Sequence, residues 1–194
     1  MTMKNTTKSI LLAGVGGQGI LRASDILSMA LMASGLDVKK SEVHGMAQRG
    51  GCVTSHVRYG DKVYSPIAKK GSVDILLSFE KLETLRYLNY MKAGARIILN
   101  QEELYPPSVN LGEADYPKDV VETAKKYFKN VLSINATALA LQAGNIRTAN
   151  TVMIGVVSRY MEVTHKIWGE ILNDAFPKKL VAVNMTAFEL GRSA

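Results

Sequence analysis

Cysteine is all but absent from this chain of 194 residues: there is one, Cys52. A single thiol forms no internal disulfide and cannot hold an iron–sulfur cluster, which needs a set of cysteines. Any part in electron transfer would therefore leave the metal centres on another polypeptide. No grouping of His, Cys, Asp and Glu has metal-ligand spacing, and no Ser or Cys nucleophile arrangement is visible. No apolar run reaches the roughly 18 residues of a membrane span, so no membrane association is expected. The opening MTMKNTTKSI passes from a polar tail straight into a strand. It lacks the apolar segment and small-residue cleavage site of a signal peptide, and a cytoplasmic location is the expectation. Repeats, low-complexity tracts and linkers are missing too, so residues 1–194 read as one domain.

What is plentiful is lysine. The formal net charge is +7, and the lysines come in pairs: Lys39-Lys40, Lys69-Lys70, Lys125-Lys126, Lys178-Lys179. They form no single stripe, and no RRM, KH or helix-turn-helix signature accompanies them. No nucleic-acid role is expected; a solvated surface, an anionic ligand or an acidic protein partner accounts for the excess.

The chain reads as alternating strands and helices. Ser9 to Ala13 is an unbroken apolar run, as in a parallel strand buried on both faces. A helix over Gln18 to Ala33 follows, with Ile20, Ala23, Leu27, Ala30 and Leu31 on one side. Gly35 ends it, and a second strand covers Leu36 to Glu42. "CVTSHVRYGDKVYSPI" alternates apolar and polar residues around Tyr-Gly-Asp-Lys, which predicts an inserted antiparallel β-hairpin within that stretch. Further strands are predicted at Val73–Phe79, Ala95–Asn100 and Asn130–Ile134, with helices at Glu80–Met91 and Pro117–Phe128. From Ala136 only helices are expected. Asn135 and Thr164 cap two of them, Pro177 occupies the first position of the last, and Gly191 closes it. The fold class is a three-layer α/β/α sandwich with a mostly parallel, Rossmann-like sheet and a helical C-terminal region.

The first βα junction carries Gly14-Val15-Gly16-Gly17-Gln18-Gly19. Glycines there let backbone amides approach a bound oxyanion, and the positive end of the helix favours negative charge. The same glycines would also let the helix pack closely on its strand, and both readings stand. A nicotinamide dinucleotide would need more. Glu42 is near the offset for a ribose-binding acid, and Lys39-Lys40 could serve a 2′-phosphate. However, strands two and three are joined by a glycine-rich segment and a hairpin rather than a helix, so the second half of a dinucleotide fold is missing.

That segment, "HGMAQRGG", holds His44, Gln48, Arg49, Gly50 and Gly51. Both glycine segments lie beyond the carboxyl ends of strands, where open α/β sheets present ligands, so one crevice could receive both. Arg49 would supply a planar fork for carboxylate or phosphate; alternatively it pairs with a nearby acid. His44 and His56 are candidate acid–base groups, though His56 on an alternating strand reads rather as a packed or surface residue; His165 reads as solvent-facing, and Cys52 as either a reactive thiol or an inert buried one. The sequence by itself assembles no catalytic residues.

The two segments together, "GVGGQGILRASDILSMALMASGLDV" and "SEVHGMAQRGGCVTSHVRYG", resemble the gamma subunit or domain of the 2-oxoacid:ferredoxin oxidoreductases, and within them the small beta subunit of the indolepyruvate enzyme. "NTVMIG" (Asn150 to Gly155) and "NMTAFELG" (Asn184 to Gly191) resemble the same family's late helical motifs. Where members often have serine after RGG, this chain has Cys52. The resemblance implies a subunit of an enzyme that oxidatively decarboxylates aryl-pyruvates with coenzyme A to acyl-CoA, carbon dioxide and reduced ferredoxin. Thiamine diphosphate, Mg and 4Fe–4S clusters would sit on a large partner subunit. The isolated chain would be inactive, binding no cofactor alone, and prone to self-associate as a homo-oligomer. Assigning Gly14, Gly16, Gly17, Gln18, Gly19, His44, Gln48, Arg49, Gly50 and Gly51 to the coenzyme A anion or to the subunit interface is an inference beyond the resemblance. A free-standing NADP-dependent reductase built on the glycine turn is the alternative.

Overall fold

The structure is a computed structural model and describes residues 7–44, with backbone only at His44, and 51–194. Six strands form one sheet in the order β2-β3-β1-β4-β5-β6. They are β1 (Lys8–Val15), β2 (Asp37–His44), β3 (Cys52–Gly60), β4 (Val73–Ser78), β5 (Met91–Asn100) and β6 (Asn130–Ile134). β1, β4, β5 and β6 are parallel, while β3 is antiparallel to both β1 and β2. Ile10, Leu11, Leu12 and Ala13 are all buried, as an unalternating apolar run requires when both faces of a strand are covered.

Helix α1 (Ile20–Ala33) lies on one face, with α5 (Ala136–Ala143), α6 (Ala149–Ser158), α7 (His165–Ala175) and α8 (Lys178–Ser193). The shorter α2 (Lys81–Arg86) and α4 (Val120–Tyr127) cover the other, over a smaller apolar cluster. A single turn of helix, α3 (Pro107–Asn110), interrupts the proline-rich loop. The three-layer arrangement and the helical C-terminal region match the sequence expectation. At the end of α1, Gly35 has φ +89° and its N–H bonds Met32 O at 2.9 Å, while Leu36 N reaches Leu31 O at 3.3 Å. This double closure is the Schellman ending a C-terminal glycine predicts.

Several expectations need correction. The hairpin expected within residues 52–67 is instead formed by β2 and β3, paired from Asp37↔Gly60 to His44↔Val53. Residues 61–72 contain no strand. The reason is that β3 has work on both faces. Val57 and Tyr59 enter the core beneath α1, while His56 is buried on the opposite face. The strand therefore sits between β1 and β2. After it, the Val63 amide goes to the Asp37 carboxylate at 2.8 Å and the Ala68 amide to His56 Nδ1 at 3.3 Å, not to a new ladder. Second, the helix expected over Glu80–Met91 ends at Arg86 and is followed by a 3₁₀ turn at Leu88–Tyr90. Third, Gly191 lies inside α8. A Cβ there would meet Val152 O at 2.0 Å, and one at Gly155 would meet Phe188 O at 2.1 Å. These glycines end nothing; they let α6 and α8 cross in backbone contact. Pro177 precedes α8 as its N-cap.

Candidate functional site

Gly17 and Gly19 adopt φ +104° and +77°, conformations other residues take only with strain. Gly19 consequently sits outside the helix, and α1 starts at Ile20 rather than at Gln18. Gly14 and Gly19 also need the space. A Cβ on Gly14 would stand 2.6 Å from Gln18 Oε1, and one on Gly19 would stand 2.5 Å from Asn150 Nδ2.

Gln18 turns inward. Its Oε1 accepts from Val15 N at 2.7 Å, and its Nε2 donates to Phe79 O at 3.0 Å and to Glu102 Oε2 at 3.2 Å. Buried Asn100 supports this, donating to Phe79 O and Glu102 Oε2 while its Oδ1 accepts from Ala136 N. The Gly16 amide donates to Gly51 O at 2.9 Å. The turn thus spends the Val15 and Gly16 amides on its own structure. The amides of Gly17 and Gly19 have no acceptor among the described residues.

Those two glycines border a cleft of about 350 Å³, closed by Glu102, Thr137, Arg147 and Asn150. Its lining thus combines Gly17, Gly19 and Arg147 as possible donors with Glu102, whose Oε2 is already engaged by Gln18 and Asn100. A second groove, of about 440 Å³, flanks the turn at Val15 and Gly16 on the α2 side and includes Arg86, Tyr105 and Pro106. Two carboxylates stand at its base. Glu80 caps α2 by accepting from Glu83 N at 3.0 Å, and it also accepts from Leu104 N and the Tyr116 hydroxyl. Glu83 pairs with Arg86 at 3.4 Å, and burial raises its carboxyl above the ordinary range.

The structure brings Gly14 to Gly19 and Gly51 together. The side chain of His44 and residues Gln48, Arg49 and Gly50 lie outside the described residues. Cys52 donates to Glu83 Oε2 at 2.9 Å and lies 2.9 Å from the Tyr87 hydroxyl. Burial, with help from Glu83, pushes this thiol up to about 11. His56 is packed edge-on against Tyr90, and burial lowers its tendency to protonate. His165 is exposed beside Glu189 at 2.7 Å. Asn135 accepts from Ala138 N and Thr164 from Ile167 N, both as caps. Sequence reasoning missed Glu102 and Arg147. The only signal for Glu102 was its place just past the end of a parallel strand, and Arg147 gave none.

The family follows from the whole chain. Residues 9–194 match the family model described as pyruvate ferredoxin/flavodoxin oxidoreductase, and the chain belongs to that family. Solved structures share the fold. One is a keto/oxoacid ferredoxin oxidoreductase gamma subunit from Geobacter sulfurreducens, with TM-score 0.71 and 22% identity over 96% of both chains. Another is the 2-oxoglutarate:ferredoxin oxidoreductase of Magnetococcus marinus, with TM-score 0.76 and 23% identity, where the likeness covers 98% of this chain and 31% of that one. Among curated proteins, the chain is 40% identical to the indolepyruvate oxidoreductase subunit IorB of Thermococcus kodakarensis, over 96% of this chain and 95% of that protein. It is 36% identical to IorB of Archaeoglobus fulgidus, over 94% and 92%. The nicotinamide-reductase alternative has no support: β3 runs antiparallel where a second βαβ half would need a helical crossover.

Proposed function

We propose that this chain is the small subunit of a 2-oxoacid:ferredoxin oxidoreductase acting on indolepyruvate or related aryl-pyruvates. Within the complex it supports coenzyme A-dependent oxidative decarboxylation to acyl-CoA and carbon dioxide, with ferredoxin as electron acceptor. The observation that carries this is the 40% identity to an indolepyruvate oxidoreductase subunit along essentially the whole of both chains. Thiamine diphosphate, Mg and 4Fe–4S clusters belong on the large partner subunit. One cysteine is too few to hold a 4Fe–4S cluster. Expressed without its partner it is inactive and self-associates through surface the partner would cover. Its place is the cytoplasm.

In this reading the glycine turn, with Arg49 and Arg147, contributes to coenzyme A access. The Gly17 and Gly19 amides, left without acceptors beside Arg147, support that assignment; Gly14 and Gln18 build the turn that holds them. Co-expression with the large subunit tests the whole reading: a complex reducing ferredoxin in the presence of indolepyruvate and coenzyme A is expected. Within that complex, Arg147→Ala and Arg49→Ala raise the KM for coenzyme A about tenfold each, leaving subunit association intact, as loss of a charge-assisted contact to phosphate predicts. An unchanged KM in both variants would remove the coenzyme A assignment and leave the subunit assignment standing.

A further inference from the structure

Lysines that are scattered in sequence are collected by the fold. Because β1, β4, β5 and β6 are parallel, their N-terminal ends form one rim of the molecule, opposite the glycine turn. Lys69 and Lys70 lie just before β4, Lys129 just before β6, and Lys125 and Lys126 in the last turn of α4, which delivers the chain to that rim. Hydrogen bonds hold these segments side by side. Gly71 N donates to Asn89 O at 3.0 Å, joining the start of β4 to the start of β5. Asn130 Nδ2 donates to Gly94 O at 3.2 Å, joining β5 to β6. Ala68 and Phe128 meet over the same apolar cluster.

All five lysines are exposed, and none is within ion-pairing distance of a carboxylate among the described residues. Two other lysines on this rim, Lys8 and Lys92, are already matched to Glu162 and Asp74. Helix-dipole compensation accounts for Lys125 and Lys126; it says nothing about Lys69, Lys70 and Lys129, which lie outside helices. Large apolar and aromatic side chains stand out on the same rim. Tyr64 is 84% exposed, Tyr127 73% and Ile67 55%. Exposed tyrosines beside unneutralised cations make an interface with aromatic anchors and a charged border, where the charges set partner choice and encounter rate.

We propose that this rim docks onto an acidic face of the large partner subunit. The proposal rests on the subunit reading above and adds to it the surface used and the sign of the surface it meets. A protein fits better than a nucleic acid, because exposed Ile67 adds apolar area that a protein partner buries and offers a base nothing to stack on.

The test uses the full chain and the co-purified large subunit, with the dissociation constant measured at low and high salt. Paired reversals Lys69→Glu/Lys70→Glu and Lys125→Glu/Lys126→Glu weaken association about tenfold or more each and flatten its salt dependence. The control Lys178→Glu/Lys179→Glu, at the start of α8, stays within about twofold of wild type. Unchanged thermal transitions would establish that the variants fold. Rim variants that bind like wild type overturn the docking surface alone. If the wild-type chain fails to associate at all, the subunit reading falls and takes this proposal with it. Lysine-dependent binding of a short single-stranded oligonucleotide, with subunit association unaffected by the reversals, would overturn it in favour of a nucleic-acid surface.

Discussion

At the scale of single residues, the glycine turn separates two uses of one amino acid. Gly17 has φ +104° with open space around it, whereas Gly19 has φ +77° and Asn150 against it. Gly17→Ala is expected to cost about 1 kcal/mol, from backbone strain alone. Gly19→Ala adds overpacking and costs about 2–4 kcal/mol; equilibrium denaturation of the two variants measures the difference, and equal losses would contradict the packing. Cys52 gives a pH prediction. Its thiol is held at about 11 against an ordinary 9.0, so the folded chain keeps this proton where the unfolded chain releases it. The contribution to stability is therefore whole below pH 9 and lost as pH rises toward 11. Iodoacetamide labelling should stay slow near neutrality and accelerate only in that alkaline window; fast labelling at pH 8 would show an activated thiol instead. The positions of the turn glycines were legible in the sequence. The direction of Gln18 was not, because its partners Phe79 and Glu102 are 61 and 84 residues away.

At the scale of elements, β3 and α8 show where local signals mislead. Tyr-Gly-Asp-Lys is a good turn signal, yet after Gly60 the chain makes only a bend at Asp61 and starts no second strand. Which strand pairs with β3 was decided by burial of both its faces, a property of the assembled sheet that a local pattern does not carry. Gly191 likewise looks like a helix stop, since glycine is commonest just past a C-terminus, yet it lies inside α8 at the crossing with α6. Gly155→Ala and Gly191→Ala should each lose about 3 kcal/mol or more in chemical denaturation, because a methyl group 2.0–2.1 Å from a carbonyl oxygen forces the helices apart. A loss under about 1 kcal/mol, the size of an ordinary helix-propensity change, would show that the crossing yields easily. The polar pair beside it, Thr151 Oγ1 to Asn184 Oδ1 at 2.7 Å, links the two late motifs and gives them a structural meaning, namely the register of α6 on α8.

At the scale of the whole molecule, the two rims of the sheet have different characters. The rim carrying the glycine turn mixes Glu80, Glu83 and Glu102 with Arg86 and Arg147 at its clefts, while the opposite rim holds lysines without carboxylate partners among the described residues. A charge count from composition hides the grouping of these lysines; the parallel order of β1, β4, β5 and β6 reveals it. The architecture was legible because strand and helix periods are local. The grouping of charges was not, because it depends on which loops the topology makes neighbours.

The close crossing of α6 and α8 has a consequence for biosynthesis. Every residue of α6 from Thr151 to Ser158 is buried, yet much of what covers it is made later. While translation has reached only α7, α6 is a greasy rod with an open flank, and a nascent chain in that state is what holdase chaperones grip. Maturation of this protein must wait for its closing helix, however early the sheet is ready.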